Sequence, residues 1–217
     1  MHLSMRPPFV SDLVLSTLGP TKRTLYFRKR QLIFAVGDRS DFIFVIEHGS
    51  VKLTVGSRGG KEAVIAVLDE KQFFGEEVLF ANPFSRCSNA IALTDLQVAP
   101  IERNAMLRVL CRHREVCEAF ISTLVGSLAH LNGELADSLL YNSEQRLIRA
   151  LLSISKASEP DGFQRVPQLS QQDLANMIGT SRQRVNTLLQ RFKKLGFIDY
   201  CDGLRVHGSI RGLVRGD

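Results

Sequence analysis

Most of the features that would point to familiar chemistry are missing from these 217 residues. No apolar run approaches the roughly 18 residues needed to cross a bilayer, and "FIFVI" and "AVIAVL" are strand-sized. The opening "MHLSMRPPFVSDLVLS" lacks a charged leader followed by an unbroken apolar segment. A signal peptide is therefore not expected, and the chain reads as cytoplasmic. The four cysteines, Cys87, Cys111, Cys117 and Cys201, form no CxxC and no metal-ligand spacing. They read as buried or idle thiols, with a redox switch as the alternative. There is no Ser/His/Asp set, no P-loop and no pair of carboxylates in an evident cleft. Glu76 and Glu77 are adjacent, and a strand would point them to opposite faces. No enzyme is expected.

Charge is present but unevenly placed. The net charge is +6, and from Ser143 onward 12 Lys or Arg stand against 7 Asp or Glu. That leaves +5 in the last third and +1 in the first 142 residues. A cationic excess confined to one segment suggests that the segment meets a polyanion.

Three segments differ in hydrophobic period. From Lys22 to about Glu102, short apolar or alternating runs such as "QLIFAVGD", "DFIFVIEH" and "AIALTDLQVAPI" are broken by glycine-bearing turns. Many short strands with frequent turns predict an antiparallel sandwich or roll. Between Arg114 and Leu140 there is no proline. Cys117, Ile121, Leu124, Leu128, Leu131 and Leu135 step there by 4, 3, 4, 3, 4. That seam predicts a helix about 40 Å long that packs on its own domain or on a second copy of itself. Val116, Phe120 and Leu139 widen the stripe, so it can do both.

The third segment opens with the amphipathic "SEQRLIRALLSISKAS", and "EPDGFQRVP" then reads as a loop. In "LSQQDLANMIGTSRQRVNTLLQRFKKLGFIDY", Ser170 with Asp173 predicts a capped helix start, and Gly179 allows a tight turn. Ser181 can cap a second helix, which buries Val185, Leu188, Leu189 and Phe192. Its opposite face carries Arg182, Gln183, Asn186 and Thr187. This is a helix-turn-helix whose second helix presents base-reading side chains. "GFIDYCDGLRVHGS" adds two short strands around Asp202–Gly203, a wing.

A β-rich first half with "FFGEEVLF" and then "SR", a long seam helix, and "TSRQRVNTLLQRFKKLGFIDY" together resemble the Crp/Fnr family of bacterial transcription regulators. The likeness runs from about Leu25 to His207. It implies an α+β fold: an antiparallel, jelly-roll-like β-roll over 1–112, a dimerisation helix over 113–142, and a winged helix-turn-helix over 143–217. It also implies a homodimer on double-stranded DNA, with RNA polymerase as a further partner and no membrane. Arg182 matches the family's guanine-contacting arginine, and a guanidinium fork suits guanine O6 and N7. Gln183 stands where glutamate is frequent, and Thr187 where the best-known member has a second base-reading arginine. A different half-site, still with a guanine opposite Arg182, is therefore expected. Gln172, Arg184 and Lys193 are candidates for phosphate contacts.

For the β-roll, the resemblance places Gly75, Glu76 and Arg86 where cyclic-AMP-binding members hold ribose and phosphate. Cys87 replaces the serine of that set. On the seam helix, Leu131 and Asn132 replace a Thr-Ser pair that meets the base, and only Asn132 can still pair with a base edge. Cyclic AMP or another cyclic nucleotide, another small effector, or no ligand all stay open. With no ligand, Glu76 and Arg86 would form a structural ion pair closing the roll. The alternative to a DNA-binding regulator is a nucleotide-sensing module acting on a partner protein.

Overall fold

A computed structural model describes residues 9–19, 23–56, 62–79, 85–155, 161–201 and 203–214. The chain divides into two compact units, with the principal break between Leu131 and Asn132. Part of the "FFGEEVLFANPF" loop, part of "EPDGFQRVP", and Asp202 of the expected hairpin turn lie outside the described residues.

Two antiparallel sheets are built from strands between Leu25 and Glu102. β1 (Leu25–Phe27), β8 (Leu96–Glu102), β3 (Phe42–His48) and β6 (Phe73–Phe74) form one, in the order β1-β8-β3-β6. β2 (Leu32–Phe34), β7 (Asn89–Ala92), β4 (Val51–Gly56) and β5 (Glu62–Leu68) form the other, in the order β2-β7-β4-β5. Alternation along a strand explains the near-continuous apolar runs of the first sheet, because both of its faces are covered. Phe44, Ile46, Phe74 and Val98 turn into the roll with Phe34, Val51 and Leu68. Ile43, Val45, Phe73 and Ile101 turn the other way, onto a helical layer.

That layer contains two helices the sequence patterns did not suggest, α1 (Phe9–Leu18) and α2 (Arg103–Arg112). It also receives the start of the long helix α3 (Arg114–Leu140). Val116 and Phe120 are buried in it, and the Phe120 ring meets Phe73 edge-on at 5.6 Å. Further along, the seam is bare within the single chain. Ile121, Val125, Leu128, Leu131, Leu135 and Leu139 are all at least half exposed.

The second unit packs α4 (Ser143–Ile154), α5 (Gln171–Ile178) and α6 (Arg182–Lys194) around Leu147, Leu151, Leu174, Val185, Leu188 and Phe192. The wing has three strands. β10 (Ile198–Asp199) pairs with β11 (Arg205–His207), and β11 pairs with β9 (Phe163–Arg165). β9 lies in the stretch that composition assigned to a loop. Three residues are too few for a period to register, and it is pairing with β11 that makes them a strand. No described helix is long and apolar enough to cross a membrane.

Arg205 ties the wing together, donating to Asp161 at 3.1 Å and to Asp199 at 2.6 Å. Asp199 is held down to about 2, first by the Arg205 hydrogen bond and then by the Cys201 thiol and the Tyr200 N–H. An unfolded aspartate titrates near about 3.9, so this pairing stabilises the wing fully above about pH 4. It is lost as pH falls through about 2. Side-chain NMR of Asp199 should give a midpoint near 2, and Asp199→Asn should remove the acid step in wing amide exchange between pH 4 and 2. A midpoint near 4 would show that the bond is not held in solution.

Candidate functional site

Two places collect polar groups that packing alone does not require. The first is the floor of the β-roll. The Arg86 side chain is wholly shielded from solvent, its guanidinium lying 4.0 Å over the Phe34 ring. Nη1 donates to the Gly75 carbonyl at 2.9 Å, and Nη2 donates to Ser40 Oγ at 2.8 Å and to the Phe42 carbonyl at 2.6 Å. Burial pushes the guanidinium's pKa below its ordinary value, while Glu77 and, at longer range, Glu76 and Asp38 oppose that shift. Gly75 has φ +79°, and a Cβ built there would run into Arg86. Only glycine gives both that backbone and that approach.

The carboxylate close to Arg86 is that of Glu77, 3.5 Å from Nη1. Glu76, expected to pair with Arg86 if no ligand binds, also acts on the guanidinium, at longer range. Glu76 and Glu77 open a 3₁₀ turn, Glu76–Leu79, rather than sitting in a strand. Side chains in such a turn fan out by about a third of a circle per residue. Glu77 thus reaches Arg86, while Glu76 lines a hollow with Gln72, Thr123 and Ser127. Cys87 is exposed and Ser88 buried.

The hollow names two residues the sequence patterns missed. Thr123 and Ser127 are a helical step of four apart and are half-buried on α3, each bonding back to the carbonyl four residues earlier. The signal was a pair of hydroxyls beside the leucine seam. Asn132, the expected contributor, is exposed in the later part of α3.

The second place is the exposed face of α6. Ser181 Oγ accepts from the Arg184 N–H, Ser170 and Asp173 form a reciprocal capping box at the start of α5, and Gly179 turns the chain at φ +65°. These local choices present Arg182, Gln183, Arg184, Asn186 and Thr187 to solvent. Their commitments differ. Among the described residues, no side-chain hydrogen bond or ion pair engages Arg182 or the Gln183 amide. Asn186 Oδ1 accepts from Gln171 at 3.2 Å, and Thr187 Oγ1 donates to the Gln183 carbonyl. Gln172 bonds Asn176, Arg184 Nε reaches Ser143 Oγ at 3.4 Å, and Lys193 lies 5.4 Å from the Tyr200 ring.

Family models match both places. A cyclic nucleotide-binding domain covers residues 24–113, and a Crp-like helix-turn-helix domain covers residues 145–208. The chain belongs to the Crp/Fnr family. It is a sequence-specific DNA-binding regulator of that type. It is 27% identical over 192 residues to the CRP-like cAMP-activated global transcriptional regulator of Mycobacterium tuberculosis, covering 87% of this chain and 85% of that one. Its fold is similar to that of FixK2 from Bradyrhizobium japonicum, with TM-score 0.77, 16% identity, and coverage of 89% and 96% of the two chains. It is also similar to the c-di-GMP-responsive regulator CLP of Xanthomonas campestris, with TM-score 0.72, 20% identity, and coverage of 91% and 98%.

All four cysteines of this Crp/Fnr chain are free, but only Cys117 is even partly buried; Cys87, Cys111 and Cys201 are exposed. The Cys201 thiol is pushed up, chiefly by its hydrogen bond to Asp199, which keeps it protonated and poorly nucleophilic.

The geometry makes Arg86 a structural residue whatever else it does. Its loss would strand Glu77 and the carbonyls of Gly75 and Phe42. Arg86→Ala should cost about 3–5 kcal/mol in urea unfolding without any ligand. Cys87→Ser at its exposed neighbour should stay within about 0.5 kcal/mol. A stable Arg86→Ala protein would show that the interior contacts do not form.

Proposed function

We propose that this regulator acts as a homodimer joined along α3, placing two α6 helices in successive major grooves of a near-palindromic operator. Half-sites would then lie about 34 Å, one helical turn, apart. The observation that carries this reading is the pair of exposed, uncommitted side chains at the capped start of α6, Arg182 and Gln183. Arg182 has the fork that suits guanine, and Gln183 can pair with adenine N6 and N7. The Thr187 hydroxyl is turned back to its own helix, so its methyl is the group offered to a base, and thymine C5 is its natural partner. Asn186, steadied by Gln171, is a further reader. Ser181, Gln172, Arg184 and Lys193 stand at the edges of this face and suit phosphate oxygens. Activation through RNA polymerase is the accompanying reading for a protein of this family.

In the roll we propose an anionic effector, with a cyclic nucleotide as first candidate. The residues fit it in part. Arg86 Nε is buried with no hydrogen-bond partner among the described residues, a donor suited to a phosphate oxygen. Gly75 and Glu76 suit a ribose, while Asn132, the base-edge candidate, belongs to the second unit. The exposed Cys87 offers only a weak S–H donor in place of a hydroxyl. Relatives of this chain include a cAMP-activated regulator, and the c-di-GMP-responsive CLP shares the fold. Action on a partner protein instead of DNA has no observation in its favour.

Selection from random duplexes should return a two-fold motif with guanine in each half-site. Arg182→Ala should cost about 1–3 kcal/mol on that motif and relax the guanine position, with the salt slope little changed. Lys193→Ala should weaken all sequences alike and lower the salt slope by about 1. An unchanged preference in Arg182→Ala would refute the assignment. Sedimentation of Leu128→Ala with Leu135→Ala should show loss of the dimer together with loss of full-operator binding, and a monomer holding the full operator normally would sink the dimer.

A further inference from the structure

Glu77 is the acid that the function does not absorb. Of the three carboxylates that act on Arg86, it is the close one, and only about a quarter of its side chain is exposed. Its Oε1 is buried without a hydrogen-bond partner among the described residues, and so is the Nε of Arg86. The two charges therefore sit side by side, Nη1 3.5 Å from Oε1, at the outer limit of a hydrogen bond. A buried pair of this kind is held by charge, and each partner is left open to a better-fitted one. The rest of the guanidinium donates to the Gly75 and Phe42 carbonyls and to Ser40, so the cation stays partnered when its anion changes. Glu77, by contrast, sits at the start of a short 3₁₀ turn with part of its side chain in water.

We propose that Glu77 is a built-in counter-anion for Arg86, held beside Nη1, so that an effector phosphate drawn to the same guanidinium competes with it for the charge. This rests on the reading that the roll takes an anionic effector. The consequence is selection by competition. A weakly held anion such as inorganic phosphate fails to displace the tethered carboxylate. A ligand that also engages Gly75 and Glu76 can do so, and the displaced carboxylate turns toward solvent.

The test is calorimetric titration of the full chain with cyclic AMP, cyclic GMP and inorganic phosphate, for wild type, Glu77→Gln and Glu118→Gln. Glu77→Gln keeps the shape and removes the charge. It should bind at least one of the three tenfold or more tighter than wild type. Glu118→Gln, an equal charge change on the exposed start of α3, should match wild type. If urea unfolding shows Glu77→Gln misfolded, Glu77→Asp, which draws the carboxylate back from Arg86, should give a smaller gain of the same sign. Equal affinities in wild type and the Glu77 variants would overturn the proposal, as would an equal gain in Glu118→Gln. No binding of any probe to any variant would also overturn it. Salt-dependent operator binding, measured on the same samples, reports separately on the regulator reading and survives each of those failures.

Discussion

The leucine seam of α3 is the constraint around which the rest is arranged. Six large apolar side chains stand at least half exposed along one helix, more than a water-facing helix ordinarily carries. Fully burying one such side chain contributes about 1.5–3 kcal/mol, so covering the seam yields several even after its present partial shielding is discounted. The stripe also explains why α3 is so long. Its first turns belong to the β-roll through Val116 and Phe120, and beyond them Leu128, Leu131, Leu135 and Leu139 stay at least half exposed. A second copy, offering the same stripe, is the simplest surface that satisfies it, and a two-fold axis through the seam suits a two-fold DNA site.

Within the roll, the governing fact is a cation where apolar packing would have been cheaper. Arg86 is fully shielded yet keeps its charge, because three acceptors and a carboxylate surround it and two aromatic rings lie against its faces. Such an arrangement is weak evidence of stability for its own sake, since a well-packed hydrophobe of equal volume is frequently no worse. The same guanidinium is the group that the proposed anionic effector would meet.

Much of this was legible in the sequence because it rests on period and on local chemistry. The helix-turn-helix needed only Ser170, Asp173, Gly179 and Ser181 to set its ends, and the buried face fell at Val185, Leu188, Leu189 and Phe192. The strands read clearly wherever four or more residues alternated. What stayed hidden depends on tertiary contacts. β9 is three residues long and exists through its pairing with β11. Glu76 and Glu77 are chemically identical neighbours, and only the 3₁₀ turn decides which one meets Arg86. Thr123 and Ser127 were overshadowed by the leucines beside them, although they are the hydroxyls that line the hollow with Glu76.

The two-residue strand β6 connects the pocket to the seam by the simplest rule of β-structure. Phe74 turns into the roll and stacks on Phe44 at 5.1 Å and Phe34 at 5.8 Å, the rings that lie against Arg86. Phe73, its neighbour, turns outward onto Phe120 of α3. Because successive side chains point to opposite faces, a shift of backbone at 73–75 moves both rings at once. The carbonyl of Gly75 is itself an Arg86 acceptor, so an exchange of partners at the guanidinium acts on that backbone directly. Taking a two-state protein from 1:99 to 99:1 requires about 5.5 kcal/mol of differential binding. A hydrogen bond to a charged group contributes about 1.5–3 kcal/mol, so two or three exchanged at Arg86 are on that scale. A single lost hydroxyl, such as the one Cys87 replaces, is not. The weight of the proposed switch would therefore fall on the arginine and its acids, and not on the hydroxyl that Cys87 lacks.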